Sequence, residues 1–162
     1  MLATAGRLTV STGDEPGLTV TVTVTAGEQV IDRLTSEVRD GVLVLDLPGR
    51  WVNLGPVDYD LVLPRVDRIA VEGAGNVRGE VAPTDAFKLT IDGAADVDLD
   101  GLDVDELTVR IAGVGDVEVH VTELLDAKID GAGRIGYSGD PEVTRSVDGV
   151  GSIDGVGSIS GR

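Results

Sequence analysis

Seven carboxylates fall between Asp92 and Glu106: Asp92, Asp96, Asp98, Asp100, Asp103, Asp105 and Glu106. Hard cations such as calcium take about six to eight oxygen ligands at short range, so this density is the first place where chemistry is expected. Asp96 and Asp116 occupy the same place in two copies of a recurring phrase, and these two are the candidate calcium ligands. The competing interpretation is a solvated acidic face. Gly-x-Gly-Asp phrases are similar to calcium-binding nonapeptide coils, but those repeat about every nine residues, and the EF-hand loop pattern is absent. His120 is the single histidine and lies between Val119 and Val121 with opposite, outward parity, which suits a surface side chain better than a catalytic base. Asp96, Asp116, Arg110 and Arg134 could also assemble a site acting on acidic polysaccharide, but only site geometry can carry such a claim. No Gly-Lys-Ser/Thr follows the glycine-rich phrases, so they are not phosphate loops.

The elements that position these residues follow from the phrase itself. Its copies are Val71-Glu-Gly-Ala-Gly-Asn-Val77, Ile91-Asp-Gly-Ala-Ala-Asp-Val97, Ile111-Ala-Gly-Val-Gly-Asp-Val117, Ile129-Asp-Gly-Ala-Gly-Arg-Ile135 and Val147-Asp-Gly-Val-Gly-Ser-Ile153. They start 20, 20, 18 and 18 residues apart. Self-similarity at such a period signals stacked coils that cannot bury their apolar faces alone. Alternating strands lead into three copies: Phe87-Lys-Leu-Thr-Ile91, Leu107-Thr-Val-Arg-Ile111 and Leu125-Asp-Ala-Lys-Ile129. Equivalent strands of successive coils then pair in parallel, about 4.8 Å apart.

Two inward columns result, Val71/Ile91/Ile111/Ile129/Val147 and Val77/Val97/Val117/Ile135/Ile153. Two outward columns are mostly polar: Glu72/Asp92/Ala112/Asp130/Asp148 and Asn76/Asp96/Asp116/Arg134/Ser152. Arg110 and Lys128 are expected to offset Asp92 and Asp130, and Arg134 to offset Asp116. Gly73, Gly93, Gly113, Gly131 and Gly149 are the structural corners, where the backbone needs a positive φ or room that a Cβ would fill. Ala95 replaces the second glycine in one copy, so that position needs smallness only.

Residues 1–66 lack the phrase. Leu18 to Thr25 alternates as a strand, Asp40-Gly41 is a hairpin signal, and Val57 to Leu63 alternates until Pro64. Gln29 to Val38 is the best helical candidate but is short. Pro48-Gly49 and Gly55-Pro56 bracket a loop that holds Trp51. The 162-residue chain fits one domain, 1–162, divided into N-terminal strands or cap (1–66), repeats (67–153) and a tail (154–162). In that tail Ile153-Asp-Gly-Val-Gly-Ser-Ile159 repeats the phrase after six residues, too few for a coil. It is expected to fold over the end or to pair with another subunit, giving a homo-oligomer through the solenoid end.

One Trp, two Tyr and one Phe leave the core to Val, Ile, Leu and Ala. With 29 acidic and 13 basic residues the net charge is -16, which repels nucleic acid and anionic lipid. The absence of cysteine excludes disulfides, iron–sulfur clusters and thiol nucleophiles. No apolar run reaches the roughly 18 residues of a membrane span, so membrane attachment would need a segment absent from this chain. Ala3-Thr4-Ala5 matches the small-x-small triplet of an export cleavage site, and equally a chance triplet after Met1.

The phrase Ile-x-Gly-Ala-Gly-Asp-Val after a Leu-x-Val-x-Ile strand resembles the GIN domain family, described as auto-transporter adhesin head domains. The lead-in Val57-Asp-Tyr-Asp-Leu-Val-Leu-Pro64 resembles it too. So does the close Ile129-Asp-Gly-Ala-Gly-Arg-Ile-Gly-Tyr-Ser-Gly-Asp-Pro141. The resemblance covers about residues 8 to 159, with Ala95 and Arg134 as departures. It implies a right-handed β-solenoid from exported proteins and brings no catalytic residues. The expectation is therefore an all-β, right-handed parallel β-helix with a more irregular N-terminal β layer. Its expected role is a non-catalytic extracytoplasmic, secreted or cell-surface binding or structural module without a cofactor, whose partner is a surface glycan or protein. The alternative is a calcium-stabilised or polysaccharide-acting β-helix.

Overall fold

The computed structural model describes residues 6–12, 21–40, 42–46 and 57–156. The loop with Trp51, the Ala3-Thr4-Ala5 triplet, residues 18–20 and the tail beyond Val156 lie outside the described residues. Thirteen strands and one helical turn follow in order: β1 (Gly6–Thr12), β2 (Thr21–Thr25), α1 (Glu28–Ile31), β3 (Thr35–Arg39), β4 (Val42–Asp46) and β5 (Asp58–Leu63). Then come β6 (Arg68–Val71), β7 (Ala74–Glu80), β8 (Thr84–Ile91), β9 (Ala94–Ile111), β10 (Val114–Ile129), β11 (Ala132–Ser138), β12 (Glu142–Val147) and β13 (Val150–Val156).

The chain is a β-solenoid. One run of parallel strands stacks β7, β9, β10, β11 and β13, and a second stacks β6, β8, β9, β10 and β12. Both inward columns form in the expected register. Val71, Ile91, Ile111 and Ile129 are each 0% exposed. The second column runs further than the phrase, because Tyr59 and Leu8 precede Val77 in it. Burying each such side chain contributes about 1.5–3 kcal/mol before conformational entropy is charged against it.

In β9 the buried positions skip a beat between Leu99 and Leu102 and again between Val104 and Leu107. These breaks mark two bends, so each coil has sides at 94–99, 102–104 and 107–111. The register between β9 and β10 shifts at the same places, between Glu118 and His120 and between Val121 and Leu124. The repeat thus shortens from 20 to 18 residues at the bends, and the glycine corners stay aligned.

At each corner the backbone itself fills the space. The Gly93 carbonyl accepts the Val114 N–H at 2.8 Å, and the Gly113 carbonyl accepts that of Ala132 at 2.8 Å. A Cβ on Gly113 would lie 1.8 Å from the Gly93 oxygen, and one on Gly131 would lie 1.9 Å from that of Gly113. No positive φ is involved at these corners: among the described residues only Gly139 and Asp40 have one. Close approach, not backbone handedness, is the reason for glycine here.

The N-terminal third is a more irregular β layer that also joins the stack: strand β1 pairs in parallel with both β7 and β5, so two further rungs precede residue 67. Strand β2 then closes the sheet antiparallel to β5. The stretch from Gln29 to Val38 is no continuous helix. One turn, α1, ends at Ile31, and the β-branched Thr35 and Val38 enter β3 of a separate two-stranded sheet with β4. Asp40, at φ 51°, supplies the hairpin turn.

Gly113→Ala is expected to destabilise by about 2 kcal/mol or more, since a carbonyl hydrogen bond must move. Gly115→Ala should cost less, because its Cβ would lie 2.2 Å from the Ala95 oxygen and Ala95 itself is tolerated one coil below. Gly27→Ala, with nothing within 4 Å, should be neutral. Thermal denaturation of the three variants checks the order, and equal losses at 113 and 115 would contradict it.

Candidate functional site

The outward face of β7, β9, β10, β11 and β13 carries the column Asn76, Asp96, Asp116, Arg134, Ser152. Asn76 pairs with Asp96, Asp116 with Arg134, and Arg134 with Ser152. Val114 opposite Ala94 and Val117 opposite Val97 set Asp116 beside Asp96. Two residues on, Arg78, Asp98, Glu118 and Gly136 form a parallel column. Asp96, Asp98, Asp116 and Glu118 are all exposed and form a two-by-two block of carboxylates. Among the described residues none of the four belongs to an ion pair.

Arg134 does not turn to Asp116. Its Nε lies 3.5 Å from Asp154 Oδ2, an oxygen that the Ser152 hydroxyl also engages at 2.7 Å. An acceptor already oriented one coil on draws the guanidinium away from the acidic block.

The first outward column is better neutralised. Arg110 reaches Asp130 at 2.7 Å, and Lys128 reaches Asp130 at 3.1 Å and Asp148 at 3.6 Å. Asp130 is the focus, its side chain only 24% exposed between two cations. Asp92, the other expected partner of Arg110, has no ion pair among the described residues. Pairs of this exposure contribute about 0.2–1 kcal/mol each.

The exposed His120 aligns with Asp103 on one side and Ser138 on the other. Its Nδ1 lies 2.8 Å from Ser138 Oγ, and that hydroxyl donates to the Val119 carbonyl at 3.5 Å. Which of the two groups donates across the 2.8 Å contact depends on the imidazole tautomer. Sequence reading had missed Ser138, although its offset of 18 residues from His120 is the repeat length. A cavity of about 250 Å³ lies elsewhere, lined by Thr12, Pro64, Arg65, Val66, Ala82, Pro83, Thr84 and Asp85.

Asp96 and Asp116 together offer two carboxylates, four oxygens, against the six to eight or so that calcium takes. Among the described residues no group of three or more His, Asp or Glu side chains is placed to hold a metal ion. The pair alone leaves part of that coordination unfilled, and without an ion it holds two like charges one coil apart, which is destabilising. Asp116→Asn is accordingly expected to raise the melting temperature at low salt by the equivalent of up to about 1 kcal/mol. The gain should shrink at 1 M salt. A loss of stability in calcium-containing buffer would instead show that the pair is bridged.

Among the described residues no helix is long and apolar enough to cross a membrane. No curated protein matches the chain by sequence. A solved structure named as a putative adhesin from Bacteroides fragilis is similar at a TM-score of 0.61 and 21% identity, over 96% of this chain and 90% of that one. A second, named as a putative lipid binding protein from Parabacteroides distasonis, gives a TM-score of 0.46 and 17% identity over 96% and 90%. At this identity the first likeness speaks for the solenoid fold. The family described as "Putative auto-transporter adhesin, head GIN domain" matches residues 3–107 and again 82–141. Those matches span most of the stacked coils, and the chain belongs to the GIN domain family.

Proposed function

We propose that this chain is a non-catalytic, adhesin-like binding or structural module that works outside the cytoplasm, secreted or at the cell surface. Its ligand in this reading is a surface glycan or protein. The observation that carries the reading is the outward face of β7, β9, β10, β11 and β13. Parallel stacking there holds side chains in straight columns, with Asp96, Asp98, Asp116 and Glu118 between Asn76 and Arg78 on one side and Arg134 on the other. Carboxylates accept hydrogen bonds from sugar hydroxyls or peptide N–H groups, and a guanidinium donates to their oxygens. A rigid sheet presents both at little ordering cost. Family membership supports an adhesin-like role, and the name of the Bacteroides fragilis protein agrees with it.

A glycan array and a surface-protein panel test the proposal. Wild type should be retained by at least one ligand class. Replacing the four carboxylates together by Asn or Gln should weaken retention about tenfold or more without lowering the melting temperature. Unchanged retention would place binding elsewhere, and release of product from an acidic polysaccharide would overturn the non-catalytic reading.

A further inference from the structure

The two ends of the solenoid differ. At the N-terminal end Val30 of α1 and Leu45 of β4 are each 2% exposed and belong to the core, so that end is covered. At the other end, among the described residues, β12 is hydrogen-bonded only to β10 and β13 only to β11. Among the described residues the second inward column ends in Ile153, which is 6% exposed, and the first ends in Val147. Val143 lies over Leu125 and Val147 over Ile129, but Val147 is 42% exposed while Ile129 is 0%. The column between them, Leu89, Val109 and Ala127, ends in Arg145. Arg145 is exposed and has no ion pair among the described residues.

A charge at an inward position is one way in which an open edge avoids pairing with its own copy. A two-fold mate would bring β12 antiparallel to itself, and the register that sets Val143 against Val147 sets Arg145 against Arg145. Like charges directly opposite are destabilising. The same guanidinium, which has no ion pair among the described residues, attracts a carboxylate.

We propose that this edge receives an extended segment of a partner protein, added parallel to β12. The segment carries Asp or Glu over Arg145, between apolar residues over Val143 and Val147. Backbone hydrogen bonds supply attachment, and the alternate side chains supply selection. This interaction is separate from ligand binding on the outward face and stands without it.

The fold supplies its own probe. Leu125, Ala127 and Ile129 lie under Val143, Arg145 and Val147, so a capped peptide of residues 124–129 has the right spacing. Two versions, with Ala127→Glu and Ala127→Lys, are titrated into the full chain while backbone amide shifts are followed by NMR. The Glu peptide should shift the amides of β12 at a concentration at least tenfold below the Lys peptide. Arg145→Gln should abolish the difference and Arg145→Glu should reverse it. No shift with either peptide, equal affinities, or a preference indifferent to residue 145 would overturn the proposal. Concentration-dependent dimers of the free chain would make a second copy the occupant and overturn it equally. Binding of the Glu peptide only after removal of residues 157–162 would assign the edge to the chain's own C-terminus, which also overturns it.

Discussion

The carbonyl oxygen of one corner glycine occupies the place that a Cβ would take on the corner glycine above it. The Gly93 oxygen is 1.8 Å from that place on Gly113 while it accepts the Val114 N–H. One atom thus ties successive coils together and forbids a side chain. Because the bond recurs at 2.8 Å from Gly73 to Gly131, the coils cannot slide past one another. A slip by one residue would also turn every inward Ile and Val toward water.

Fixed register is what turns a repeat into columns, and columns oblige like to meet like. Apolar positions gain from this, since Ile91, Ile111 and Ile129 stack into a dry interior. Charged positions do not gain automatically. Where cations enter from the neighbouring coil, as Arg110 and Lys128 do around Asp130, a column is neutralised. Where none enters, as at Asp96 and Asp116, the repulsion stays on the surface, softened by water and salt. Surface carboxylates left in that state suit recognition better than stability.

The sequence made the solenoid legible because its signals were local and repeated. Five copies of one phrase fixed both inward columns, the outward parity of Asp96, Asp116 and His120, and the five corners. The role of glycine at those corners was half legible: crowding was anticipated, but whether φ also mattered needed the backbone. The parts that were missed depend on distant partners. Nothing in Gly6 to Thr12 announces pairing with residues 58–63 and 75–80. Arg134 chose Asp154 over Asp116 because Ser152 orients the nearer oxygen, a relation across two coils that a one-dimensional pattern does not display. The helical spacing of Val30, Leu34 and Val38 was real for one turn only, after which β-branched residues and the Asp40 turn prevailed.

The position of β1 has a consequence for how the chain comes together. It precedes every other described strand in the chain, yet it lies between β5 and β7. Neither neighbour exists until some fifty to seventy further residues have followed it. Later coils need wait only for the coil before them, so their contacts close short loops and assemble in series. Strand β1 instead closes loops of about fifty and seventy residues, so its pairing costs more chain entropy than any pairing between successive coils.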